Sequence, residues 1–448
     1  MGVGERSSRV RRSREVTESR CVLSESFGSS SPSPRSQFPG LLRFSLISFL
    51  LLCFTACVFT ERVRVGAEAL IEKHLYLLKN RRVGIICNQT SVLPGGAHLV
   101  DTLIRLGVDV TALLSPEHGI RGTKPAGEKI EDGIDPKTGL PIYSLYGRNR
   151  KPTREMLKNV DVLVFDLQDV GARFYTYTST MALGMEAAAE NGKQFIVLDR
   201  PNPINGIDIE GPVLDTVLRS FVGMFPIPVR HGMTLGELAE MIRGEWMDGR
   251  EPLDLVVIPM EGWQRSMWYD ETGLPWVSPS PNMTTLATAI VYPGTCFFEA
   301  TNVSEGRGTE HPFEYIGAPW IDGDSLSMRL NNSGLAGVRF ESVQFTPKSE
   351  SAAATNPKWA GIRCGGVLVH IVNRGNFHPV ETGLTMLDVI MKSYPSQFKI
   401  QKDLFDRLAG ERDVRESLVS GVMVSKLSDI QNGKLQVFKR IRSKYLLY

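Results

Sequence analysis

The sequence predicts an α/β fold: a largely parallel sheet with helices on both faces, followed by a smaller α+β domain. Three observations predict it. Strand-like runs alternate with helical stretches from about Val63 to Leu198. Those strands are continuous apolar runs, as strands buried on both faces must be. The first strand ends at Asn88-Gln89-Thr90-Ser91, which lacks the Gly-rich turn that lets backbone approach a pyrophosphate. Gly95-Gly96 comes too late for that turn, and no phosphate-binding Gly-Lys-Ser occurs. The expectation is a Rossmann-like sheet without a nucleotide.

Taken in order, residues 1–40 are rich in Ser, Arg and Pro and lack apolar periodicity, which reads as disorder. Phe44 to Phe59 is nearly all apolar with Arg43 before it, short for a membrane span and suited to the core of a secretory signal. Thr55-Ala56-Cys57 resembles a bacterial lipoprotein processing site, with Val58 and Phe59 unusually apolar after it. Export is expected, with lipid at Cys57, simple cleavage and an uncleaved anchor all open. Residues 1–62 are thus a leader.

Gly66–Leu78 predicts a helix, Arg82–Cys87 a strand, His98–Leu106 a helix and Asp109–Leu114 a strand. Pro141–Leu145 is a short strand, Arg154–Asn159 a helical turn, and Val160–Phe165 a strand. Thr180–Asn191 is a helix and Phe195–Leu198 a strand. Thr234 with Glu237 forms a capping box opening a helix to Glu245, before a strand at Leu253–Ile258. The first domain is expected over 63–284 and the second over 285–448. The second mixes short strands (Val338–Phe340, Gly366–Val372) with helices (Leu384–Ser393, Leu404–Leu408).

Bulk properties exclude several classes. The net charge is only +2, and the Arg-rich leader supplies the excess, so nucleic acid is not an expected partner. Of six cysteines, only Cys87, Cys296 and Cys364 fall in the body, an odd number without metal-ligand spacing. Buried thiols are expected, and no metal or cofactor.

Candidate chemistry lies at strand ends. Glu117-His118 comes after one strand on a loop stiffened by Pro116 and Gly119. Asp166-Leu167-Gln168-Asp169 closes another, and Asp199-Arg200-Pro201-Asn202 a third. In a parallel sheet these ends share one edge, where ligands bind. Three polar ends suggest one cleft. Capping of helices is the competing reading, with Asp169 its first candidate. Trp263, Trp268 and Trp276 suit either sugar stacking or core anchoring. Glu299-Ala300-Thr301-Asn302-Val303-Ser304-Glu305-Gly306-Arg307-Gly308-Thr309 concentrates polar groups, and its glycines would let a ligand approach the backbone. A hydrophilic hairpin loop is the bland alternative.

Four stretches together carry a resemblance. They are Ser115-Pro116-Glu117-His118-Gly119, Asp166 to Tyr177, Asp199-Arg200-Pro201-Asn202-Pro203 and Asn302 to Thr309. In this order they resemble the NamZ-type exo-β-N-acetylmuramidases, long a domain family of unknown function. The resemblance runs from about residue 64 onward and excludes only the leader. It implies a Rossmann-like domain and a smaller α+β domain with the active site between them. It also implies removal of N-acetylmuramic acid from the non-reducing end of peptidoglycan fragments. The family's leading catalytic glutamate falls on Glu117.

Glycoside hydrolysis needs two carboxyl groups, or one with help from the substrate's N-acetyl group. Glu117 is the expected general acid, with His118 positioning it or binding substrate. The second carboxylate is sought among Asp166, Asp169, Glu299 and Glu305, with Glu305 favoured because the second domain must contribute to an inter-domain cleft. The lactyl carboxylate of muramic acid calls for an arginine fork, for which Arg173 and Arg307, then Arg200, are candidates. Tyr175, Tyr177, Asp199, Asn202, Asn302 and Thr309 are candidates for polar contacts to the sugar. Two rivals stand beside this reading. One is a non-catalytic muropeptide-binding envelope lipoprotein, touching membrane only through its N-terminal segment. The other is a metal-dependent esterase or amidase using His118, His231, His311 and the Asp cluster, with histidines that lack ligand spacing.

Overall fold

Alternate side chains of the central strands enter two different cores, which is why these strands read as unbroken apolar runs. The strands are β1 (Arg82–Cys87), β2 (Asp109–Ser115), β3 (Gly133–Ile134), β4 (Pro141–Ser144), β5 (Val162–Asp166), β6 (Gln194–Leu198), β7 (Glu210–Val213), β8 (Pro228–Arg230) and β9 (Leu255–Ile258). Val83, Ile85, Val162, Val164, Ile196 and Leu198 face one core. Ile86, Leu163, Phe165, Phe195 and Val197 face the other. The period of two is that of any pleated strand, here with both faces dry. The computed structural model describes residues 62–117, 119–120, 132–247, 251–349, 354–422 and 424–448.

Seven strands form one sheet in the order β3-β4-β2-β1-β5-β6-β9. Every pairing is parallel except β3 with β4. The chain runs outward from β1 to β2 and β4, then returns to the other side of β1 for β5, β6 and β9. The direction therefore reverses between β1 and β5. Helices Gly66–Ala69 and Leu99–Arg105 cover one face, and Tyr177–Glu190 and Leu235–Trp246 the other. The expected helix over 66–78 changes pitch, passing from α to π at Leu70–His74 and to 3-10 at Leu75–Leu78. Thr234 and Glu237 form the expected capping box: the Thr234 hydroxyl accepts from the Glu237 N–H, and the Glu237 carboxylate from the Thr234 N–H.

A three-stranded antiparallel sheet follows, with β10 (Tyr315–Ala318), β11 (Val338–Phe345) and β12 (Cys364–Ile371) in the order β10-β12-β11, and helices Pro379–Ser393, Lys402–Ala409, Arg412–Val419 and Val424–Arg442 come after it. The core on the side of helix Tyr177–Glu190 continues into this part through Phe297, Phe298, Phe340 and Val367. The chain from Glu61 onward accordingly forms one compact unit. Cys87, Cys296 and Cys364 are buried and none is in a disulfide. Trp263 and Trp268 are buried and Trp276 is half-buried, all three packed into the cores. They are anchors, not stacking platforms.

Candidate active site

The crevice at the strand reversal is where an open α/β sheet ordinarily holds its ligand. Here the chain fills it with its own polar groups. Arg200 donates from Nε to Asp166 Oδ1 at 2.6 Å and from Nη2 to Oδ2 at 2.9 Å, both residues being buried. The Gln168 N–H donates to Thr90 Oγ1, and Asn88 Nδ2 donates to the Tyr177 hydroxyl. What space is left beside Arg200 and Gln168 is about 20 Å³, room for a water or two. Asp169 accepts from the Gly171 N–H at 2.8 Å and lies 3.7 Å from the buried His231. The expected helix cap is not formed: Asp169 closes a local turn, and the next helix begins only at Tyr177 with Thr176 at its N-cap.

The third strand end is filled too. Asp199 accepts from the Gly236 N–H, the Thr234 hydroxyl and the Tyr448 hydroxyl. Burial pushes its carboxyl up to about 6 against these donors. Asn202 donates to the Met233 carbonyl and accepts from the Ile204 N–H. Arg173 is 1 % exposed and donates to the carbonyls of Pro212, Ile227 and Leu408. It is a bolt between distant chain segments and has no fork left for a carboxylate. Arg200 is spent on Asp166 in the same way.

One strand end does open to solvent. A cleft of about 600 Å³ lies beyond β2 and β4, a volume typical of small-ligand sites. Glu117 lines it, two residues past β2, and is half-buried. Thr176, which precedes helix Tyr177–Glu190, donates its hydroxyl to Glu117 Oε2 at 3.1 Å. The Tyr146 hydroxyl also hydrogen-bonds Glu117. Burial, then the charge of Glu117, pushes the Tyr146 phenol well above its usual range, so it stays a neutral donor. His118 lies outside the described residues.

The opposite wall comes from the chain after helix Leu286–Thr295. Arg307 donates from Nη2 to Glu299 at 2.6 Å, and its Nε is 3.4 Å from Glu305. Lys358 Nζ is 2.9 Å from Glu305 Oε2 and donates to the carbonyls of Phe298 and Val303. Burial works against the Arg307 charge, but Glu299 and Glu305 more than offset it and hold its pKa above the ordinary arginine value. Glu305 is 4 % exposed yet lines the cleft, compensated by two cations.

Gly306 and Gly308 serve the backbone, not a ligand. Both have positive φ, and a Cβ on either would stand within 2.6 Å of a carbonyl oxygen, of His311 or of Lys348. Asn302 bonds Gln397 and Lys399, and Thr309 closes a turn onto Gly306, so both shape the loop. Tyr177 donates to the Pro279 carbonyl and is buried. His231 and His311 do not line the cleft, which leaves the metal-dependent rival without a ligand set there.

Sequence reasoning missed Tyr146, Arg150, Thr176, Phe221, Lys358 and Arg407, all of which line the cleft. Arg150 lies over the Phe221 ring at 4.5 Å. Neither Arg150 nor Arg407 forms an ion pair among the described residues. Sheet pairing, not a local motif, brings the Tyr146–Arg150 stretch to the cleft. β4 pairs with β2 in parallel, Ser144 beside Ser115, so the chain leaving β4 must emerge next to Glu117.

Fold and cleft together define an α/β protein with a carboxylate- and arginine-lined site beside the carboxyl ends of its strands. Family models described as the N-terminal and C-terminal parts of the exo-β-N-acetylmuramidase NamZ match residues 83–287 and 290–448. The chain belongs to the NamZ exo-β-N-acetylmuramidase family. It is 46% identical over 389 residues to the peptidoglycan β-N-acetylmuramidase NamZ of Bacillus subtilis strain 168, covering 86% of this chain and 92% of that one. Two crystal structures of DUF1343 family proteins from Bacteroides fragilis superpose with TM-scores of 0.79 and 0.69. They are 38% and 36% identical, covering 86% and 87% of this chain and 99% of each of theirs.

Proposed function

We propose that this chain is an exo-acting glycoside hydrolase that removes terminal non-reducing β-N-acetylmuramic acid from peptidoglycan fragments. The observation that carries the reading is one cleft in which Glu117 shares a wall-to-wall space with Glu299 and Glu305, in a chain so similar to a peptidoglycan β-N-acetylmuramidase. Glu117 is the general acid that protonates the leaving oxygen. The Thr176 and Tyr146 hydroxyls hold its carboxyl group in place on the cleft wall. Glu305 or Glu299 supplies the second carboxylate, unless the substrate's own acetamido oxygen attacks. Asp166 and Asp169 are left out because both are buried and neither lines the cleft.

Arg150 and Arg407 replace Arg173 and Arg200 as candidates for the lactyl carboxylate. They reach the cleft and have no carboxylate partner among the described residues. Arg307 is engaged by two glutamates and better suited to holding those side chains in place. The leader supports export, with the apolar run Phe44–Phe59 as signal or anchor and Cys57 in a stretch that resembles a lipoprotein processing site; it lies outside the described residues. Among the described residues no helix is long and apolar enough to cross a membrane.

The test is release of nitrophenol from para-nitrophenyl β-N-acetylmuramide by residues 63–448, wild type beside Glu117→Gln. Turnover in the wild type, lost in a variant with an unchanged melting temperature, is the expected result. Binding of muramyl sugar without turnover in either protein would instead favour the non-catalytic envelope lipoprotein.

A further inference from the structure

A second, smaller cavity of about 60 Å³ adjoins the cleft and shares Glu117, Phe174, Thr176, Tyr292 and Arg307 with it. Its remaining lining is Tyr175, Tyr177, Ser280, Met283 and Phe313. One water needs about 10–15 Å³ on this measure, so the annex holds roughly four to six non-hydrogen atoms. A sugar ring is far too large for it. We infer that this annex seats the 2-acetamido group of the substrate and sets the enzyme's tolerance for the N-acyl chain. The inference rests on the muramidase reading and names a recognition element of the same site.

Three features support it. An acetamido group has four non-hydrogen atoms and no charge, which matches the volume and the walls. Phe174, Tyr292 and Phe313 form an edge-to-face aromatic chain, with centroids 5.2 Å and 4.8 Å apart, a fixed apolar surface for a methyl group. A carboxylate would need a cation there, and Arg307, the cation lining the annex, is already shared between Glu299 and Glu305.

The second feature is an unsatisfied donor. Tyr175 is 7 % exposed, and its hydroxyl has no partner in hydrogen-bonding geometry among the described residues. Its polar neighbours are the Ser280 and Tyr177 hydroxyls. The Tyr177 hydroxyl is engaged, donating to the Pro279 carbonyl at 2.7 Å and accepting from Asn88 at 2.7 Å. A buried hydroxyl left unpaired is costly, and an acetamido carbonyl is the acceptor it lacks. The third feature is position. The acetamido group hangs from the carbon next to the reacting one, and the annex opens beside Glu117.

The experiment is kcat/KM on para-nitrophenyl β-muramides carrying N-acetyl, N-propanoyl and N-butanoyl groups. For the wild type a loss of about 100-fold from acetyl to butanoyl is expected. Met283→Ala, which enlarges the annex, should shrink that loss to within about 10-fold. Ser280→Leu, which fills it, should cut activity on the N-acetyl compound at least 10-fold with an unchanged melting temperature. A wild type indifferent to acyl length would overturn the inference, as would a length dependence that neither variant moves. Failure of the wild type to cleave the N-acetyl compound at all would instead remove the muramidase reading itself.

Discussion

Asp166 stands at a strand end in a motif that reads as catalytic, yet its geometry makes it a structural ion. Asp166→Asn separates the two roles. Asp166 is fully buried and Arg200 is 7 % exposed, joined by two hydrogen bonds of 2.6 and 2.9 Å. The amide keeps the shape of the carboxylate but removes its charge, leaving a buried guanidinium uncompensated. Breaking one side of such a pair costs about 3–5 kcal/mol. With an unfolding entropy of about 2.1 cal/mol/K per residue over roughly 390 residues, about 4 kcal/mol lowers the melting temperature by about 5 °C. Replacing both partners by apolar residues, Asp166→Leu with Arg200→Met, should recover most of that loss, because such a swap is often near neutral. The assays are thermal unfolding and nitrophenol release at about 20 °C, well below the transition of a typical domain. The folded Asp166→Asn variant should keep kcat within about threefold of wild type. A kcat loss above 100-fold with an unchanged melting temperature would refute the reasoning and return Asp166 to the catalytic list.

Two single groups carry further predictions. The Asp199 carboxyl is raised from 3.8 to about 6 by burial, so the folded state binds its proton more tightly than the unfolded state does. Its contribution to stability is therefore fully present below about pH 4 and is lost as pH rises through 6, a change of about 3 kcal/mol. Asp199→Asn, which cannot titrate, should gain on wild type by about 3–4 °C in melting temperature between pH 4 and pH 7; a gap that stays flat with pH would rule this out. Arg150→Ala should lower the preference for muramide over N-acetylglucosaminide substrates by about 10- to 100-fold, the worth of a charge-assisted hydrogen bond. An unchanged preference would pass the lactyl role to Arg407.

Most of the fold was legible because both faces of the sheet are buried, and a doubly buried strand leaves a clear apolar run. β1, β5 and β6 fall within two residues of where those runs lie. Helix boundaries set by local chemistry, such as the Thr234 cap, were equally readable. At the cleft, one short motif was enough to single out Glu117, which lines the wall. Arg173 sits in a polar motif, but its partner carbonyl on Leu408 is 235 residues away. No local pattern distinguishes a fork that grips backbone from one that awaits a ligand. The same holds for Arg150 and Lys358, which reach the cleft through packing of segments far apart in the chain.

The position of the cleft is a consequence of how the strand-reversal crevice is filled. The Asp166–Arg200 pair, Gln168, Asn88 and Tyr177 occupy the place where related sheets admit a cofactor. The open cleft lies farther along the same edge, at the ends of β2 and β4, where Glu117 and Tyr146 emerge. A site there has one wall from the sheet and needs a second, and the chain after Thr295 supplies it with Glu299, Glu305 and Arg307. Elsewhere, buried guanidinium groups tie distant segments together. Arg173 joins Pro212 and Ile227 to Leu408, and the Arg442 guanidinium joins the carbonyls of Gly206 and Gly232. Hydrolysis of a glycoside is accelerated mainly by charges already in place when the oxocarbenium ion develops. In the proposed reaction Glu305 is such a charge, held by Arg307 and Lys358 across the cleft from Glu117.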